Sequence, residues 1–208
     1  MNKTINLFHL VFLASSLLLG SISFANDEGM VDQLTVYELA EVFSIEDNAE
    51  RLVLLEKLYE KSNTYNKFLL LPNMSKSAIM IKNTEVAQKY SDELIFLADK
   101  YKDSWNYGNA IHDANMVLGL IALDKNNLDK AKCYLLKAGE TPGSPQITNF
   151  GPNLLLAKAL LDIGEHQTVL KYFRSLTNVW KNDDKRLNTW ISTIEDGGTP
   201  YLEKHLTR

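Results

Sequence analysis

Residues 114–176 carry a helical-hairpin pattern written twice, and few folds can accommodate it. In residues 114–138, Leu118 and Gly119 are followed by Ala122, Ala131, Leu135 and Ala138. On a helical period this spacing puts small side chains where two antiparallel helices cross, and large ones where the pair meets a neighbour. Leu118 and Leu156 occupy matching positions 38 residues apart, as do Leu135 and Phe173. Such a hairpin cannot bury its apolar face alone, so it stacks on others, and stacks of this kind usually bind proteins rather than do chemistry.

Helical periodicity recurs outside this core, and strand signals are weak throughout. The spacing predicts a helix over 32–43 and another over 47–61, with Leu52, Leu55 and Tyr59 on one face. Residues 65–74 are expected to end at the helix-breaking Pro72, with a short separate helix over 76–81. Thr84 is the expected N-cap of a helix whose stripe is Ala87, Tyr90, Leu94, Leu97, Ala98 and Tyr101. A helix over 105–123 turns Ala110, Ala114, Val117, Leu118, Ile121 and Ala122 inward. Its return arm, 128–138, is expected to end at Gly139.

The Thr141-Pro142-Gly143-Ser144-Pro145 run reads as a stiff connection, with Pro-Gly suited to the centre of a type II turn. Gly151-Pro152 is expected to restart a helix. Its stripe is Leu155, Leu156, Ala159, Leu160 and Ile163, and Gly164 makes the next turn. The partner arm buries Val169, Phe173, Leu176 and Trp180. A last helix over 185–195 carries Trp190, Ile191 and Ile194, followed by a loose tail. This divides the chain into 1–25, a helical part at 26–83, repeats at 84–196 and a tail at 197–208.

The set Leu118, Gly119, Ala122, Ala131, Leu135 and Ala138 resembles the tetratricopeptide repeat consensus in order and spacing, with Pro142 near the repeat's end. The second unit departs from it: Ala157 replaces the glycine, Val169 the first alanine and Leu176 the second. Its spacing is also four residues longer than the family's ~34. The run from Gly108 to His112 through Gly151-Pro152-Asn153 is similar to a group of bacterial tetratricopeptide-like exported proteins. The resemblance covers about residues 84–182 and implies an all-α fold: a short right-handed array of antiparallel helix hairpins, an α-solenoid. It implies no activity.

The first 25 residues read as an export signal, with Lys3, a 13-residue apolar run at 7–19 and Ser23-Phe24-Ala25 before the expected cleavage point. That run is short of the ~20 residues needed to span hydrocarbon. A periplasmic or secreted protein without stable membrane insertion is the expectation. Beyond the signal, 21 basic face 26 acidic residues, and no basic cluster exceeds Lys185-Arg186. This argues against a nucleic-acid partner, because such binders concentrate positive charge. Cys133 is the single cysteine, so no internal disulfide can form. On the hairpin's second arm it reads as a small buried hydrophobe.

The polar residues that stand out are Asn109, His112 and Asn115 on an otherwise apolar helix, with Gln146, Asn149 and Asn153 in the following connection. They are the candidate contacts for a ligand or partner. The competing expectation is that they satisfy backbone groups that would otherwise be buried unpaired. His112 and Asp113 are adjacent, so on a helix they are expected to diverge and not to share an ion. There is no HExxH, no paired Cys/His spacing and no GxSxG around Ser144, and Gly139–Gly143 lacks a Walker lysine. No cofactor, metal or catalytic role is therefore expected. Of the aromatic residues, Trp105 and Tyr107 are the expected exposed pair. The function expected is binding of a protein or peptide on a concave face, and self-association through a terminal face is a further option for so short a stack. The alternative is a small-molecule module with a pocket closed by residues 139–152.

Overall fold

The computed structural model describes residues 41–202 apart from 43, 183 and 184. The export segment, most of the helix expected over 32–43, Asp183-Asp184 and His205 lie outside the described residues. Among the described residues all regular structure is helical: α1 (Asn48–Glu60), α2 (Thr64–Met80), α3 (Thr84–Ala98), α4 (Tyr107–Asp124), α5 (Leu128–Gly139), α6 (Pro145–Phe150), α7 (Leu155–Asp162), α8 (His166–Leu176) and α9 (Arg186–Glu195).

Three hairpin tips are built on one plan. Lys82, Asn126 and Gly164 each take positive φ, at 61°, 56° and 86°. The next residue then donates back across the turn: Asn83 N to Ala78 O (3.0 Å), Asn127 N to Ala122 O (2.8 Å) and Glu165 N to Leu160 O (2.9 Å). This six-to-one bond uses up a helix-end carbonyl and reverses the chain. At the first two tips the same residue caps the return helix, Asn83 accepting from Val86 N and Asn127 from Lys130 N. Thr84, the expected N-cap, is the first helical residue instead, because the longer Asn83 side chain reaches the free N–H groups.

The open ends of the hairpins fix the arms antiparallel. At the base of α4–α5, Thr141 Oγ1 donates to Gly108 O at 2.7 Å. There the backbones come so close that a Cβ on Gly108 would sit 1.8 Å from Gly143 O. At the base of α2–α3, the Tyr65 and Tyr101 rings meet edge-on at 5.2 Å. The turn at 81–83 joins α2 and α3, which pack together as two arms of a hairpin.

Successive hairpins pack side by side. Helix α4 touches α2, α3, α5 and α7, and residues 112–119 are buried without a break. Gly119 makes room for Leu156, whose Cδ2 would lie 2.1 Å from an added Cβ. Helix α1 is tied to α3 by a reciprocal pair, Tyr90 donating to Glu56 and Tyr59 to Glu93. Burial, then the bonded carboxylates, holds both phenols well above their ordinary pKa, so they remain donors. Lys132 reaches Glu165 at 2.9 Å, linking α5 to the start of α8. Beyond α8, α9 adds Leu187, Trp190 and Ile194 to the core.

Several local expectations change. Pro72 lies inside α2, which runs unbroken where two shorter helices were expected. Phe68, Leu71 and Met74 around it are fully buried, and their packing offsets the ~3 kcal/mol that an interior proline costs. Gly139 is the last residue of α5 rather than a left-handed cap beyond it; a Cβ there would meet Ser175 Oγ at 2.4 Å and the Tyr172 ring at 3.0 Å. Gly151-Pro152 does not restart a helix. Ser144 instead caps α6, with Pro145 in its first turn, and α7 begins only at Leu155. Gly151, at φ 83° and ψ 166°, adopts a backbone that suits glycine alone.

The buried residues of α7 are Leu156, Ala157, Leu160 and Leu161, while Ile163 is exposed just past its end. Cys133 is exposed on the outer side of α5, not buried. Lys130 and Lys137, its helical neighbours, both lie over the Tyr134 ring. Trp105 and Tyr107 are half-buried rather than exposed, and Tyr107 packs against the core. Leu202, within the segment expected to be a loose tail, is fully buried.

Two glycines separate packing from conformation. Gly108→Ala drives a methyl into a backbone carbonyl that no rotamer change can move, and is expected to cost on the order of 3 kcal/mol. Gly164→Ala meets nothing within 4 Å, so its expected loss is only the left-handed backbone penalty, about 1–2 kcal/mol. Urea unfolding midpoints of the two variants check this order; a Gly164 variant as damaged as the Gly108 variant would contradict it.

Candidate functional site: the polar cluster around the start of α4

Burial of residues 112–119 of α4 forces the polar side chains there to find partners inside the protein. His112 and Asp113 are 1% and 7% exposed. A chain of contacts runs through them. Tyr172 OH lies 2.9 Å from His112 Nε2, His112 Nδ1 lies 3.0 Å from Asp113 Oδ1, and Lys76 Nζ lies 2.9 Å from Asp113 Oδ2. The carboxylate accepts, so Nδ1 carries the imidazole proton and Nε2 accepts from the Tyr172 hydroxyl. The expected divergence of His112 and Asp113 is wrong, because both side chains swing far enough from the helix to bond each other. Helices α2, α4 and α8 are thereby joined by one polar path.

Burial alone would raise the Asp113 pKa, but the Lys76 ammonium and the His112 N–H outweigh it and hold the carboxyl below its ordinary value. Burial, and then the Asp113 charge, pushes the Tyr172 phenol well up, which keeps it protonated.

A second group sits nearer the surface. Asn109 Nδ2 donates to Asn106 Oδ1 (2.9 Å) and to Gln146 Oε1 (3.1 Å), while Ser144 Oγ donates to Asn109 Oδ1 (2.6 Å). Ser144 Oγ also accepts from Ile147 N at 3.0 Å, capping α6. Asn149 Nδ2 donates to Pro145 O, and its Oδ1 accepts from Asn182 Nδ2, both at 2.7 Å. Among these side chains the Nδ2 of Asn106 is enclosed without a hydrogen-bond partner.

The sequence-selected residues thus divide by depth. Asn109 and Gln146 are half-buried and share a hydrogen bond, and Asn149 is exposed beside Asn182. His112, Asn115 and Asn153 are inside. Asn115 bonds the carbonyl of Ile111 at 2.8 Å, and Asn153 accepts from Leu155 N at 2.9 Å. Sequence reasoning missed Lys76, Tyr172, Asn106 and Asn182. Tyr172 and Lys76 are 60 and 37 residues from the side chains they contact, and Tyr172 beside Phe173 reads simply as core. Among the described residues no group of three or more His, Cys, Asp or Glu side chains is placed to hold a metal, and no helix is long and apolar enough to cross a membrane. No protein-family model, curated protein or solved structure matches the chain.

The depressed Asp113 pKa gives stability a definite pH dependence. A carboxyl with a lowered folded pKa contributes stability above its unfolded value, ~3.9, and loses it as pH falls through the folded value. Asp113→Asn is expected to cost on the order of 3 kcal/mol near neutral pH, because it strands Lys76 and His112. The gap in thermal midpoint between variant and wild type should narrow as pH falls below ~4. A gap constant down to pH ~2 would show that the Asp113 charge contributes nothing.

Proposed function

We propose that this chain is an exported tetratricopeptide-like helical-repeat protein that binds an extended segment of a protein partner and is not an enzyme. The repeated hairpin tips at Lys82, Asn126 and Gly164, each closed by the same backbone bond, favour the repeat reading. Export rests on the sequence of the first 25 residues.

The observation that carries the binding reading is the run of carboxamides Asn109, Gln146, Asn149 and Asn182 at the surface end of α4 and along α6. Carboxamides offer a donor and an acceptor side by side, which matches the alternating N–H and C=O groups of an extended peptide. Gln146 and Asn149 are the contacts that reach solvent. His112, Asn115 and Asn153 lie inside and bond to the protein itself.

The test is affinity capture by the processed protein from its native exported fraction, in parallel with a Gln146→Ala/Asn149→Ala variant. Both side chains leave the core intact, so the variant should unfold within about 0.5 kcal/mol of wild type. One defined partner, lost at least tenfold with the variant, is the expected result. Equal capture by both forms would move the binding surface elsewhere. Stabilisation by a small solute, with no protein captured, would favour the solute-binding alternative closed by residues 139–152.

A further inference from the structure

We propose that the Tyr172–His112–Asp113–Lys76 chain is a proton-sensitive latch that holds the last hairpin onto α4. This inference is independent of the binding reading. Its basis is the way donors and acceptors are used up. His112 is 1% exposed, with one ring nitrogen facing Asp113 and the other the hydroxyl of Tyr172. In the neutral ring every group of the chain is matched: Tyr172 O–H donates to Nε2, Nδ1–H donates to Asp113, and Lys76 donates to the second carboxylate oxygen.

A proton arriving on Nε2 disturbs this in two ways. The Tyr172 oxygen must then become the acceptor, so its own O–H has to turn away from Nε2 inside the protein. Charge balance fails as well. The Asp113 carboxylate is already matched by Lys76 at 2.9 Å, so an imidazolium adds an uncompensated positive charge inside the protein. Among the described residues, the charged group in contact with this chain of side chains is Lys76. Lys76 comes from α2 and Tyr172 from α8.

The bond that fails is the one between α4 and α8. Separation of α8 would also part Asn149 from Asn182, which lies just beyond that helix. Acidification therefore loosens α8 at its contact with α4, while the α1–α3 end keeps its own ties.

Hydrogen exchange of the full chain at pH 7.5 and pH 5.0, corrected for intrinsic rates, tests this above the range where carboxylates protonate. The expected result is roughly tenfold faster exchange in α8 at pH 5.0, with α1–α3 unchanged. Imidazole nitrogen-15 shifts of His112, read at both pH values, report whether Nε2 is bare or protonated in each state. His112→Gln offers a donor and an acceptor that do not titrate, and should remove the pH dependence. The proposal is overturned if α8 exchange does not change with pH, or if it changes equally in the Gln variant. Should that variant fail to fold, a wild-type His112 ring that keeps Nε2 bare at pH 5.0 while α8 loosens overturns it too.

Discussion

The unbroken burial of residues 112–119 in α4 is the constraint on which the rest of the molecule depends. A helix flanked by α2, α3, α5 and α7 cannot leave a polar group to water. Three of its polar side chains recruit partners from other elements, while Asn115 bonds the Ile111 carbonyl of α4 itself. Asp113 takes Lys76 from α2, His112 takes Tyr172 from α8, and Asn109 takes Ser144 and Gln146 from the segment around α6. The short α6 has a place in the fold because these bonds, together with the Thr141–Gly108 contact, bring its leading segment onto the start of α4.

The hairpin tips supply regularity at low cost. A single residue in the left-handed region, with one backbone bond behind it, reverses the chain at Lys82, Asn126 and Gly164. Only the last is glycine. At the other two sites, burial of the flanking arms compensates for a side chain in a disfavoured backbone conformation. The left-handed positions lie 44 and 38 residues apart, so the plan of the turn recurs while the unit length does not. This variation in unit length is why the hairpin upstream of residue 107 is hard to place by a fixed period.

Most helices were legible from the spacing of their apolar residues. The stripe Ala87, Tyr90, Leu94, Leu97 and Ala98 is buried as a set, as is Ala131, Leu135 and Ala138. Errors fell where a residue's local preference competed with its packing. Pro72 should stop a helix by local rules, yet its neighbours are more valuable to the core in helical form. Cys133 is apolar by type but faces outward, because Ala131 and Leu135 already set which side of α5 turns in. The polar cluster was half legible. Asn109, His112 and Asn115 stood out as polar residues on an apolar helix, but their partners were invisible because no local period connects residue 112 to 172 or 76 to 113.

The sequence by itself determined the helical class, the hairpin unit and the polar residues of α4 that the core must accommodate. Those properties follow from periodicity and composition, which act over one or two helical turns. Tertiary structure alone decided which polar groups meet, which face Cys133 presents, and that Gly108, Gly119 and Gly139 are needed for close approach rather than for turning the chain. The reason is physical: contacts between hairpins depend on distances between backbones some 33 to 60 residues apart, and these exist only once the stack has formed.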